Sequence, residues 1–155
     1  MKTMRTLAAA AMLALVAAGC SRSTFPVVAR GGEMPRSIVD PYLKIQTALA
    51  DDSTEGIRAN AGEMATAATA LGAPAMKIDT AAIQLASAGE LDDAREKFGR
   101  LSAAIDTYMT GLGLKAPQGV RVAYCPMADK PWLQQDGALA NPYYGKSMPT
   151  CGSFR

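Results

Sequence analysis

The 155-residue chain contains no histidine. The commonest general base of hydrolases is therefore unavailable, and a blue-copper centre, which needs two histidines, is excluded. Zinc is disfavoured too, because it prefers imidazole or several thiolates. Cysteine is scarce, with three residues and no Cys-x-x-Cys pair, so a thiol–disulfide oxidoreductase is not indicated. These absences favour a binding or interaction protein over an enzyme.

The chain also lacks a hydrophobic run of about 20 residues, the length that spans a bilayer. A shorter apolar stretch, Leu7 to Ala18, follows Lys2 and Arg5 and ends in small residues before Cys20. This order predicts a secretory signal peptide over residues 1–19. Its ending resembles the lipobox of bacterial lipoproteins, which predicts lipidation of Cys20 and a periplasmic protein anchored to the outer or inner membrane. The alternative is an ordinary cleaved signal that leaves Cys20 as a thiol.

A charge excess is missing as well once the signal is removed. The whole chain has 16 basic and 14 acidic residues, and Lys2 and Arg5 belong to the predicted signal, which leaves 14 of each. A neutral domain without a basic stripe is a poor nucleic-acid binder. We therefore expect no nucleic-acid partner and a membrane contact through the lipid anchor only.

Residues 20–36 are predicted to be the lipidated cysteine and a flexible tether. The segment contains two prolines and two glycines and shows no sustained apolar period. The alternative is a short ordered arm packed on the domain, since Phe25, Val27 and Val28 are apolar.

Apolar residues recur at helical spacing from Ser37 to Leu112. Four such stripes are separated by "DDSTEG", "LGAPA" and Gly89, and Asp52 with Glu55 has the spacing of a capping box for the second helix. Each stripe needs a partner face, and short links place neighbouring helices antiparallel. We predict an all-α fold, an antiparallel up-down four-helix bundle over residues 37–114.

Residues 115–155 change character. "VRVAYC" alternates in strand fashion, and closely spaced prolines and glycines then exclude further helices. We predict an irregular segment that contains a short strand or hairpin and packs on the bundle.

This segment carries four sulfur side chains: Cys125, Met127, Met148 and Cys151. Residues two apart on a strand face the same way, which groups the first pair, and a turn at Pro149 would group the second. Two thiolates and two thioethers form a soft ligand set that suits Cu(I) or Ag(I). The predicted site thus consists of these four residues, covered by the aromatic side chains of Trp132, Tyr143 and Tyr144.

The alternative for the two cysteines is a disulfide. Cys125 and Cys151 are the two that remain once Cys20 is acylated, and the periplasm is oxidising. Closing this loop would stabilise the fold by ~3.5 kcal/mol on the chain-entropy estimate. The two hypotheses are compatible, with a disulfide in the oxidised protein and a Cu(I) site in the reduced one.

The tail also resembles a bacterial domain family that is found appended to periplasmic adaptor subunits of copper and silver efflux pumps. The shared elements are Cys125-Pro126-Met127, Trp132-Leu133, Asn141-Pro142-Tyr143-Tyr144-Gly145, Met148 and Cys151-Gly152. The resemblance implies copper or silver handling, with periplasmic components of an efflux system as partners. The alternative function is a non-metal interaction or scaffold domain of the cell envelope with a structural Cys125–Cys151 disulfide.

Overall fold

The computed structural model describes residues 30–155. The predicted signal peptide, the lipidation site Cys20 and most of the predicted tether lie outside the described residues. Within them, no helix combines the length and the apolar character that crossing a membrane requires.

Four helices occupy the range in which the apolar stripes lie. They are α1 (Arg36–Ala50), α2 (Ile57–Leu71), α3 (Met76–Ala86) and α4 (Leu91–Leu112), and a short 3-10 turn, Ala73–Ala75, precedes α3. Gly72 ends α2 and Gly113 ends α4, both with positive φ. Glycine adopts this conformation without the Cβ clash that other residues meet, which explains these helix ends.

The all-α fold class is wrong, because the C-terminal residues form a three-stranded antiparallel sheet. Its strands are β1 (Val120–Cys125), β2 (Lys130–Gln135) and β3 (Ser153–Phe154), in the order β2-β1-β3. β2 packs against α4 and α1, and Trp132 and Leu133 on it are buried. The sheet is thus a layer of the core, and the architecture is α+β.

An aromatic chain joins the helices to the C-terminal segment. The ring centroid of Phe98 on α4 lies 4.9 Å from that of Tyr42 on α1 and 6.0 Å from that of Tyr143. The Tyr42 hydroxyl lies 2.6 Å from Ser102 Oγ and accepts a hydrogen bond from the Leu133 backbone N–H at 3.3 Å. One buried side chain therefore connects α1, α4 and β2.

The part of the predicted tether that is described pairs with the end of α4 and with the residues that follow it. Gly31 N–H donates to Leu112 O at 3.1 Å, Met34 N–H donates to Lys115 O at 2.9 Å, and the Met34 side chain is buried. These residues lead directly into α1, which begins at Arg36.

The predicted capping box does not form. α2 begins at Ile57 after Gly56, and no side chain caps its N-terminus. The Asp52 carboxylate instead accepts a hydrogen bond from Arg95 of α4 at 2.5 Å. Asp52 therefore forms an ion pair with a distant helix instead of capping α2, as its local spacing predicted.

Candidate metal centre

Cys125 is the last residue of β1, and its side chain is fully buried. The following turn folds back so that the Ala128 N–H points at Cys125 Sγ, at 3.4 Å. Asp129 closes the turn with φ +51° and accepts a hydrogen bond from the Tyr124 hydroxyl. The hairpin between β1 and β2 therefore presents a sulfur atom with a backbone donor beside it.

Cys151 lies in the turn before β3, and its side chain is half-buried. Its sulfur is 3.7 Å from Cys125 Sγ. Gly152 allows this approach: a Cβ there would lie 2.7 Å from the Trp132 ring and 2.8 Å from Tyr124 O, and its φ of +140° also favours glycine. The Cys-Gly pair in the sequence thus reflects a close crossing of the last turn over β1 and β2.

The two cysteines are free thiols at this separation. A disulfide has a sulfur–sulfur bond of about 2.04 Å, so the described geometry is that of a paired dithiol. The structure therefore brings Cys125 and Cys151 together without joining them.

The surroundings shift the pKa values of the two thiols in opposite directions. Burial raises the pKa of Cys125, but hydrogen bonds to its sulfur, first from the Ala128 N–H and then from the Asn141 side chain, outweigh burial and hold that pKa below its ordinary value. Burial and the neighbouring Cys125 raise the pKa of Cys151. Cys125 is therefore the sulfur that becomes a thiolate first.

The two methionines lie in the turns beside the cysteines but differ in exposure. Met127 is 60% exposed, so most of its side chain is in solvent. Met148 is half-buried, and its carbonyl accepts a hydrogen bond from the Cys151 N–H at 3.2 Å. The buried part of the site is thus the cysteine pair, with Met148 in the turn that leads to it.

The three predicted cover residues occupy different positions. Trp132 is buried against the Gly152 turn and meets the Tyr143 ring edge-on at 6.0 Å between centroids. The Tyr143 hydroxyl donates to Pro131 O, and the Tyr144 ring is half-buried. Trp132 is therefore the aromatic residue placed against the cysteine turn, while Tyr143 packs in the aromatic chain of the core.

Asn141 and Arg95 bind the turns around the cysteine pair, and the sequence gave neither of them a role at the site. Asn141 Nδ2 donates to Cys151 O at 2.6 Å, and Arg95 Nε donates to Pro142 O at 3.2 Å. Asn141 precedes a proline, a common turn signal, so its motif was visible although its partner was not. Nothing in the local sequence links Arg95 to Pro142.

Among residues 30–155, no group of three or more histidine, cysteine, aspartate or glutamate side chains is arranged to hold a metal ion. The sulfur atoms that the structure brings together are therefore those of Cys125 and Cys151. Comparison with known proteins finds no matching family model and no significantly similar curated protein or solved structure. The functional interpretation thus depends on the residues themselves.

Proposed function

We propose that this protein binds Cu(I) or Ag(I) through the cysteine pair Cys125–Cys151, as a periplasm-facing lipoprotein that supports copper or silver efflux or tolerance, and that it is not an enzyme. The observation that carries the proposal is the 3.7 Å separation of the two sulfurs beside a backbone N–H donor. The efflux role is supported by the resemblance of the tail and by the predicted signal peptide.

The sulfur separation suits a shared metal ion. In tetrahedral zinc sites, two thiolates at about 2.3 Å from the ion lie about 3.8 Å from one another, which gives the scale of a shared-ion site. The dithiol has nearly this spacing, so binding an ion requires little movement of either turn. Preorganisation of this kind reduces the entropy cost of binding.

The donor set favours soft monovalent ions. Structural zinc takes four ligands, mostly thiolates and imidazoles, and the chain has no histidine. Soft thiolate and thioether ligands suit Cu(I), and thioethers are not among the usual ligands of zinc. The ligands in this proposal are Cys125 and Cys151, with Met148 and Met127 as thioether donors from the adjoining turns.

A low pKa at one sulfur assists binding near neutral pH. A thiol must lose its proton before it ligates, and protons therefore compete with the metal. The hydrogen bonds at Cys125 hold its pKa low and reduce that competition at the first sulfur. Cys151 is half-buried, so part of its surface reaches solvent, from which an ion would enter.

The test is a competitive Cu(I) titration of the reduced, full-length chain carrying Cys20→Ser, so that two thiols remain. We expect one ion per chain. The Cys125→Ser/Cys151→Ser variant should lose affinity by more than about a hundredfold, beyond what loss of a supporting residue causes. Met76→Leu is the matched control, because Met76 is a 62% exposed methionine on α3. Equal copper retention by the double variant and its parent would contradict the proposal.

The second candidate is a non-metal interaction or scaffold domain of the cell envelope that is stabilised by a Cys125–Cys151 disulfide. The same 3.7 Å separation favours it, because a small shift of the Cys151 turn would bring the sulfurs to bonding distance. It requires protein purified from the periplasm without reductant to lack free thiols at these positions. Intact mass and thiol labelling distinguish the two candidates, and two readily labelled thiols after anaerobic purification would count against the staple.

A further inference from the structure

A groove with a volume of about 900 Å³ lies between α3 and α4. Most of the residues that line it are apolar or small, and on α4 they run from Arg100 to Leu112. On the α3 side, Met76 lines the groove and is 62% exposed. Concave, mostly apolar surfaces of about 300–1,000 Å³ are the usual places where proteins bind ligands. The groove is thus large enough and apolar enough to hold a chain segment.

The described chain begins at one end of this groove. The Gly31 N–H donates to Leu112 O at 3.1 Å, and Leu112 is the last residue of α4 that lines the groove. Gly31 lies in a turn with φ +78°, where the chain changes direction. Residues 21–29, which precede the described part of the chain, are therefore attached to the domain beside the groove.

These preceding residues include side chains that a mostly apolar groove would bury. Residues 25–29 read "FPVVA", five consecutive apolar residues without a charge. Such a run is unfavourable in water unless another surface covers it. Pro26 disfavours helical backbone at Phe25 and fixes its own φ, so the run suits an extended conformation.

The length of the run matches the length of the groove. An extended chain advances about 3.3 Å per residue, so Phe25 lies at most about 20 Å from Gly31. The lining residues of α4, from Arg100 to Leu112, cover about 18 Å of helix. From its attachment at Leu112, the run can therefore reach every part of the groove.

A second groove, between α1 and α2, is the competing place on the same domain. Its volume is about 530 Å³, and its lining includes the charged side chains of Arg36, Asp40 and Glu63. Burying an apolar run there would also remove water from these charges, which is costly. The groove between α3 and α4 is therefore the better match for residues 25–29.

We propose that residues 25–29 form an apolar arm that docks in the groove between α3 and α4. With the arm docked, only residues 21–24 lie between it and the predicted lipidated Cys20. Residues 20–24 span at most about 16 Å when extended, so the arm would hold the domain close to the membrane that carries the anchor. Docking involves α3 and α4 only, and it is independent of metal binding at the cysteine pair.

The first experiment places the photo-crosslinker p-benzoylphenylalanine at position 25 of the full-length chain, expressed with its export signal. Mass spectrometry then identifies the residues to which it attaches. We expect attachment within the same chain, to residues 73–84 or 100–112. Attachment to the second groove, to a second copy or to another protein, or the absence of an intramolecular product, would overturn the proposal.

Two lysine substitutions test the groove with matched variants. Ala103→Lys introduces a long charged side chain into the groove between α3 and α4, and Ala70→Lys introduces the same side chain into the second groove. Both alanines are exposed, so neither change should unfold the domain. We expect the crosslink yield to fall several-fold in Ala103→Lys and to stay constant in Ala70→Lys. Equal yields in the two variants would overturn the proposal.

The second experiment keeps the natural side chain at position 25 in the reference protein. In the full-length Cys20→Ser chain labelled with ¹³C at its methionine methyl groups, Phe25→Ser/Val27→Ser should move the NMR signal of Met76, because the arm would no longer cover the groove. Met127 is the control, since it is 60% exposed in the β1–β2 turn and does not line the groove. A Met76 signal that stays constant, or one that moves together with that of Met127, would overturn the proposal.

Discussion

Arg95 of α4 and Asp52 of the α1–α2 link form an ion pair at 2.5 Å, and both residues also bind the C-terminal segment. Arg95 donates to Pro142 O at 3.2 Å, and Asp52 accepts from the Lys146 N–H at 3.3 Å. The pair therefore connects the helices to the turn that begins at Asn141, and through it to the cysteines.

Asp52→Asn should destabilise the protein at neutral pH but not at strongly acidic pH. The Arg95 hydrogen bond, followed by the Lys146 N–H and nearby positive charge, outweighs burial and lowers the pKa of Asp52. A depressed carboxyl pKa stabilises the fold above the pKa of the unfolded state, and this contribution is lost as the pH falls through the folded-state pKa. Urea unfolding at both pH values measures the difference.

Asp92→Asn is the control for this prediction. The Asp92 side chain is fully exposed and lies 3.8 Å from the same arginine, so its loss should have little effect at either pH. A stability difference for Asp52→Asn that persists unchanged in acid would show that its charge is not the cause.

Gly145→Ala should be among the most damaging glycine substitutions, costing about 2–5 kcal/mol. Gly145 has φ +53°, and a Cβ there would overlap the Asp52 carboxylate and the Arg95 guanidinium. The left-handed conformation costs about 1–2 kcal/mol for an alanine, and overpacking adds about 1–3 kcal/mol. Denaturant unfolding monitored by circular dichroism measures the loss.

Gly119→Ala separates the two contributions. Gly119 has φ +79°, but a Cβ there would meet no atom within 4 Å, so it should cost only about 1–2 kcal/mol. Equal losses for the two variants would mean that the contact with Asp52 and Arg95 relaxes without cost.

The helices were predictable because their signal is local. Each apolar stripe repeats within a few turns, and Ile38, Tyr42, Ile45 and Leu49 of the first stripe are all buried along α1. α2 likewise ends inside the "LGAPA" segment, at Gly72. No distant partner is needed to recognise these features.

The three-stranded sheet was not predicted, although β1 was expected as a strand, because β2 and β3 have weak signals and the partner of β3 is distant. β2 contains Pro131, and it buries Trp132, Leu133 and Gln134 in succession instead of alternating. β3 has two residues and pairs with Ala123 and Tyr124, far back in the chain. β2 contacts α1 and α4, and Trp132 also packs against the Gly152 turn, so consecutive residues are buried and the alternation that identifies a half-buried strand is lost.

The supporting residues of the site escaped prediction for the same reason. The spacing of Cys125 and Cys151 suggested that the two could meet, but Asn141 bonds a carbonyl ten residues away and Arg95 bonds one 47 residues away. Such hydrogen bonds form only when the helices and the C-terminal segment pack together, so the local sequence does not reveal them.

Met148→Leu should weaken Cu(I) retention several-fold more than Met127→Leu. Met148 is half-buried in the turn before Cys151, whereas Met127 is 60% exposed and loses more side-chain freedom on ligation. Competitive titration against a Cu(I) chelator measures both, with Met76→Leu as the exposed control. Equal retention by all three variants would remove the thioethers from the proposed ligand set and leave the cysteine pair.

The affinity for Cu(I) should fall as the pH is lowered, in two stages set by the two thiols. Hydrogen bonds hold the pKa of Cys125 below its ordinary value, and burial raises that of Cys151. Between the two pKa values Cys125 is already a thiolate, so binding releases one proton and log affinity should change by about one per pH unit.

Below the pKa of Cys125 both thiols are protonated, binding releases two protons, and the slope should rise to about two. The measurement is the chelator titration repeated across pH, corrected for the protonation of the chelator. Cys151→Ser supplies the internal control, because it removes the thiol whose proton is released between the two pKa values. For this variant, the slope of log affinity against pH should vanish in that range. Below the pKa of Cys125 the slope should fall to about one. A parent protein whose affinity is independent of pH would show that the two cysteines do not ligate as thiolates, because thiolate ligands have to lose their protons when the ion binds.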